Sequence, residues 1–200
     1  MKAKLIAGVV ISFFMVVGYA ALASAKNPQY TGNTGCKCHK QEQDEWAKSP
    51  HGKAFEALIA SKRSKSQNLA MKNAKLDYKK DYDKDDKCLK CHTVGYSSPG
   101  GYEDDKSAAD LKNVGCEMCH GAGSEYRNLH KEKEETFTRT EAKAGGATYG
   151  SEDKGVCLKC HDHKDSPFNS KTDKKYAFSH SEMIKLEKAW HKIYPIKFKH

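Results

Sequence analysis

The sequence predicts a mainly α chain of short helices and long loops, wound around cofactors rather than around its own side chains. Three observations carry that expectation. No strand-period run of useful length occurs along the 200 residues. The hydrophobic content of 38% is low for a chain that must fill a core unaided. The eight cysteines fall into four close pairs, and a histidine follows each pair directly.

The chain starts with a segment set apart from the rest. Lys2 and Lys4 precede a nearly all-apolar run from Leu5 to Ala25, which ends on Ala23-Ser24-Ala25, a small-x-small cleavage site. That is the layout of a secretory signal peptide over residues 1–25, leaving 26–200 as one mature domain in the periplasm or outside the cell. The apolar run also approaches a membrane span in length, so an uncleaved leader would be the chain's membrane contact. Without Lys2 and Lys4 the 35 basic residues fall to 33 against 26 acidic ones, a charge of about +7.

An exported chain with an even number of cysteines first suggests disulfides. The spacing points elsewhere. Cys88-Leu89-Lys90-Cys91-His92, Cys116-Glu117-Met118-Cys119-His120 and Cys157-Leu158-Lys159-Cys160-His161 are all C-x-x-C-H, the attachment signature of c-type haem. Two thiols add to the two vinyl groups on one side of a porphyrin, and the adjacent histidine ligates the iron from below. Zinc sites also use C-x-x-C pairs but do not require a histidine after each one. The fourth pair, Cys36-Lys37-Cys38-His39, has a single intervening residue, with Gly35 where the first cysteine belongs. It reads as a fourth covalent haem c held at Cys38, and either strained onto Cys36 or not bonded there. Thr31-Gly32-Asn33-Thr34-Gly35 before it reads as a flexible loop able to absorb a one-residue shift.

Between the motifs, Ser49-Pro50 fits an N-cap followed by proline at the first helical position, with His51, Phe55 and Leu58 on one face. Residues 61–87 are densely charged and read as a solvated helix and loop. Residues 96–101 form a turn-rich loop around Ser97-Ser98-Pro99-Gly100. Residues 124–133 form a short helix with Tyr126, Leu129 and His130 on one side, and Gly145-Gly146 and Gly150 mark a further loop. Ser179 with Glu182 fits a capping box opening a last helix, whose apolar arc is Met183, Ile184, Leu186, Trp190 and Ile193, with His191 at its margin.

Four motif histidines, His39, His92, His120 and His161, supply one axial ligand each. Six others remain, His51, His130, His163, His180, His191 and His200, against three methionines after residue 25, Met71, Met118 and Met183. Bis-histidine ligation is therefore the default, which keeps iron potentials low compared with His/Met. His51, His130 and His191 lie on apolar helical faces, which favours ligation there; His163 reads as solvated. Four haems would also bring about eight propionate charges, which offset the basic chain. A pI near 9.0 is thus no sign of nucleic-acid binding.

Together the four attachment sites, the stretch from Trp46 to Ala54 around Ser49-Pro50-His51, and Val114-Gly115-Cys116-Glu117-Met118-Cys119-His120-Gly121-Ala122-Gly123 resemble the tetrahaem cytochrome c-554 family. Its namesake accepts electrons from hydroxylamine oxidoreductase. The resemblance runs from about Cys36 to Tyr194 and implies residues 26–200 as a tetrahaem cytochrome c domain, with haems stacked closely in parallel and perpendicular pairs. It also implies ligand pairs: His39 with His130, His120 with His191, and His161 with His51. The haem at His92 matches a five-coordinate iron. The chain departs from the family at its first site, which there is a regular C-x-x-C-H, and His163, His180 and His200 have no counterpart. The implied function is electron transfer between a redox donor and acceptor, without catalysis of its own. The alternatives are a subunit of an extracellular cytochrome filament for long-range transfer, or a reductase of nitric oxide, nitrite or hydroxylamine at an open His92 haem.

Overall fold

A computed structural model describes residues 27–107, 109–133, 136–186 and 191–192. The expected signal peptide lies outside them. Short helices carry the fold: α1 Lys40–Trp46, α2 Lys65–Asn73, α3 Asp86–His92, α4 Cys116–His120, α5 Tyr126–Lys133, α6 Arg139–Ala144, α7 Lys154–Leu158 and α8 His180–Met183. Among the described residues no strand forms, only a bridge between Thr93 and Lys112, and no helix is long and apolar enough to cross a membrane. The longest, α2, has nine residues. Helices this short are marginal in water, so caps and tertiary contacts must hold them.

The caps are written in the sequence. Asp85 and Asp153 accept from the first turns of α3 and α7, the helices that open two attachment motifs. Ser64 with Gln67 and Thr138 with Glu141 close full capping boxes on α2 and α6. After Pro50 the chain forms a 3₁₀ segment, His51–Leu58, with Phe55 and Leu58 buried. The expected face is right and the winding tighter. Ser49 Oγ accepts from Gly52 N–H at 3.1 Å, and a Cβ at Gly52 would strike the Trp46 carbonyl, so the segment folds hard against α1.

The core gathers around α3: Phe55, Leu58, Met71, Tyr82, Leu89, Val94, Tyr102 and Leu111. Beyond residue 120 the buried apolar side chains among the described residues are small, Ala122, Ala142, Ala147 and Val156. Such side chains cannot fill an interior packed to ordinary protein density.

Three expectations need correction. The segment 61–87 is not simply solvated, because Arg63 is 7% exposed and Met71 and Tyr82 are buried. The Arg63 guanidinium donates to four carbonyls, of Ala57, Leu58, Tyr78 and Lys80, and so clamps the loop after α2 to the 3₁₀ segment. The loop at 31–35 is tied down rather than flexible. Thr34 donates to Asp110 Oδ2 through N–H at 3.0 Å and Oγ1 at 2.7 Å. The last helix is one turn, His180–Met183, with Ser179 at its N-cap but making no side-chain cap; its hydroxyl pairs with Ser181 instead. Ile184 and Leu186 are 37% and 41% exposed rather than packed, since so short a helix turns no continuous apolar arc inward. Trp190 and Ile193 lie outside the described residues.

Glu117 anchors the amino-terminal strand of chain to α4. It is 1% exposed and accepts from Thr31 N–H, Thr31 Oγ1, Gly32 N–H and Gly123 N–H at 2.7–3.1 Å. Glu117→Ala should lower stability by roughly 3 kcal/mol or more, because several buried donors lose their acceptor together. Glu117→Gln should also destabilise, since its amide turns donors toward donors. Denaturant midpoints of the haem-loaded protein would show it; an unshifted midpoint for Glu117→Ala would contradict the anchor.

Candidate haem sites

All eight cysteine thiols are free of disulfides. They are not scattered. Cys36 lies in hydrogen-bond contact with Cys116, Cys91 with Cys160, and Cys119 beside Cys157. Hence the attachment segments follow one another in space as His39, His120, His161, His92, an order different from that of the chain. Contacts of α4 with Asn33–Cys36 and with α7 agree. The thiol environments differ accordingly. Cys91 is lowered to about 7, chiefly by the Cys160 contact, whereas burial pushes Cys88 and Cys119 up to about 11.

The histidines meet in pairs. His51, on the 3₁₀ segment, faces His161 with ring centroids 5.9 Å apart and planes at 69°. His120, ending α4, faces His191 at 6.4 Å and 29°. Two imidazoles on opposite sides of one metal, each nitrogen about 2 Å from it, put their centroids about 6 Å apart. Both pairs have that separation, and in each a motif histidine meets one that the sequence marks as distal.

The nitrogens are arranged to match. His191 Nδ1 donates to the Lys192 carbonyl at 2.6 Å, and Lys192 N–H donates to Glu45 Oε2 at 2.8 Å, tying this segment to α1. His92 Nδ1 donates to the Ala54 carbonyl at 2.6 Å. A carbonyl only accepts, so both rings carry their proton on Nδ1 and leave Nε2 with a lone pair for a metal. Burial pushes His92 and His161 down, His161 also through His51. His120 is pushed down to about 4 by desolvation and then by His191 and His39. Its side chain nevertheless reaches solvent. Neutral imidazoles are what metal ligation needs. Phe178 stacks on His161 at 4.5 Å and 17°, which steadies that ring.

His39 caps α1 beside Cys38, which is exposed, and Cys36, which is half-buried. Its expected partner His130 lies on α5, whose side chain at that position is outside the described residues. The start of α5 nevertheless touches the first site, because the Arg127 guanidinium lies against Gly35. Among the described residues no ring faces His92 as His191 faces His120. His180 Nε2 donates to the Gly150 carbonyl at 2.7 Å, and His163 Nδ1 accepts from Asp165 N–H at 3.2 Å. His200 is outside the described residues. Glycine at 121 follows from the backbone, with φ 81° directly after His120 and the Gly146 carbonyl against it.

A model of the family described as "Cytochrome c554 and c-prime" matches residues 35–121, which take in the first three attachment sites. Cytochrome c-554 of Nitrosomonas europaea is 30% identical over 216 aligned positions, covering 98% of this chain and 89% of the relative. This chain belongs to the cytochrome c-554 family. The solved structure of reduced cytochrome c554 from the same organism superposes with a TM-score of 0.74 at 31% identity, over 86% of this chain and 89% of that one. The short helices and long loops are thus the cytochrome c-554 fold. As a member of the family, the chain is an electron-transfer c-type cytochrome that binds haem c covalently and works between redox partners.

Sequence reasoning about this cytochrome c-554 relative missed two groups. One is Glu117, a charge between two thiols with no partner nearby in the chain, which was itself a signal of burial against distant donors. The other is the Ala54 carbonyl that orients His92; a main-chain acceptor leaves no trace in the sequence.

Proposed function

We propose that residues 26–200 form a periplasmic or extracellular tetrahaem electron carrier, released from the signal peptide at residues 1–25. Its haems are held at Cys36/Cys38, Cys88/Cys91, Cys116/Cys119 and Cys157/Cys160. His39, His92, His120 and His161 are the proximal ligands, and His130, His191 and His51 are the distal ligands at the first, third and fourth sites. The carrying observation is the separation of the two imidazole pairs, 5.9 and 6.4 Å. The bound haems supply the one-electron iron couple. The chain fixes the His92 and His191 rings in one tautomer, holds His92, His120 and His161 toward the neutral form, and sets neighbouring attachment sites thiol to thiol so that transfer steps are short.

Intact mass of the purified protein should fit a chain starting at Lys26 plus four haems; a mass fitting three would remove the site at His39. Alkylation after denaturation tests the irregular pair. A single residue between the thiols shortens their span, so both vinyl bonds form only with local strain. At most one cysteine per chain should be labelled, and it should be Cys36. Label on Cys38 would contradict the assignment.

A further inference from the structure

His92 and His161 are held in different ways. His92 gives its Nδ1 proton to a carbonyl, and His191 does the same at the third site. Among the described residues the His161 ring donates to no carbonyl, and its ring contacts are with His51 and Phe178. An imidazole whose second nitrogen is not hydrogen-bonded lacks the usual hold on its rotation about a metal bond. Phe178, stacked at 4.5 Å and 17°, supplies a flat wall instead.

The chain builds a whole loop to deliver that wall. Directly after His161 it turns at Asp162, where φ is 58°, and Asp162 Oδ1 accepts from Ser170 N–H at 2.7 Å. Asn169, only 3% exposed, sits at the centre of the loop. Its Nδ2 donates to the His163 and Ser166 carbonyls at 3.2 and 2.5 Å. Its Oδ1 accepts from Lys171 and Thr172 N–H at 2.9 and 3.1 Å. Asp173 then caps the short 3₁₀ turn Lys174–Tyr176, and Tyr176 meets Phe168 edge-on at 5.5 Å. Beyond Phe178, His180 Nε2 donates to the Gly150 carbonyl. Phe178 is thus pinned from both sides, and the loop returns one aromatic ring onto the imidazole that precedes it.

Ring orientation has an electronic consequence. A ligating imidazole gives π density perpendicular to its own plane. Two parallel rings therefore load one iron d orbital, whereas two crossed rings load a pair alike and remove a splitting that stabilises the ferric ion. The His51 and His161 planes cross at 69°, and those of His120 and His191 at 29°. We propose that Phe178 is a positioning residue, which fixes the plane of His161 across that of His51 and makes the fourth iron easier to reduce than parallel rings would. The inference rests on the pairing of His51 with His161 as ligands and adds the residue that sets their ligand field.

Electron paramagnetic resonance of the oxidised, haem-loaded protein tests it. The low-spin signal lost in His51→Ala marks the fourth iron, and the one lost in His191→Ala marks the third. In the unaltered protein the largest g value of the fourth iron should exceed that of the third, because crossed planes leave its orbitals nearly equal in energy. Phe178→Leu keeps apolar bulk but removes the wall. It should move the fourth signal to a smaller g value and lower the midpoint potential of that haem, with the third signal unmoved. Phe178→Tyr keeps the wall and should retain the unaltered signal. A fourth signal that leucine leaves in place, that tyrosine moves as far as leucine does, or that lies below the third in the unaltered protein would overturn the role of Phe178. If His51→Ala removes no low-spin signal, the ligand pairing itself fails, and this role with it.

Discussion

His191→Ala is expected to convert one low-spin haem of the assembled protein to high spin and leave the others unchanged. The His191 ring faces His120 at 6.4 Å, its Nδ1 donates to Lys192, and Lys192 is fixed to Glu45 on α1. Alanine removes the Nε2 lone pair and leaves that anchoring main chain in place, so another side chain has no ready route to the iron. Loss of one of two imidazoles weakens the ligand field and should raise the potential of that haem, because bis-histidine ligation keeps it low. His51→Ala should do the same at the site of His161, and the double variant should add two high-spin irons rather than one to that of the unaltered protein. Electron paramagnetic resonance and visible absorption would count them. An unchanged spectrum for His191→Ala would break the pairing with His120.

The second large effect belongs to the haem at His92. Its proximal ring is oriented by the Ala54 carbonyl, and among the described residues no imidazole faces it. That iron is expected to be five-coordinate and high spin in the unaltered protein and to take up cyanide or nitric oxide, with the three bis-histidine irons silent. A filament predicts otherwise. A histidine from a neighbouring chain would fill the position, so the high-spin signal would vanish as larger species form on concentration. A carrier keeps the signal at every concentration. Resonance spectra across a dilution series, read beside sedimentation, separate the two, and four low-spin irons in a proven monomer would defeat both.

The chemistry was far more legible in the sequence than the architecture. Covalent attachment demands two thiols and a histidine at fixed spacing, so Cys88 to His92 declares its purpose in five residues. His51 and His191 stand out because a polar ring on an apolar face needs a reason, and the structure brings each opposite a motif histidine. Helix types and ends were harder to read. The 3₁₀ winding of residues 51–58 comes from close contact with α1 at Gly52, a tertiary fact. The single turn after Ser179 overrides a local capping pattern that was real in the sequence. Arg63 looked like one more surface charge because its four acceptors are main-chain carbonyls spread over 24 residues, from Ala57 to Lys80. The Thr138–Glu141 capping box was plainly written and simply overlooked.

The Glu117 anchor also bears on the order in which the chain can close. Thr31 and Glu117 lie 86 residues apart in the chain, so in a chain made amino end first the segment ahead of Cys36 meets this acceptor only after Pro99 and Asp110 have offered theirs to Tyr30 and Thr34. The first and second motifs both precede α4 in the chain. Only when the third motif arrives can its carboxylate gather Thr31, Gly32 and Gly123 and draw the amino end across α4. A residue inside one motif thus completes the closure of the segment that leads into another.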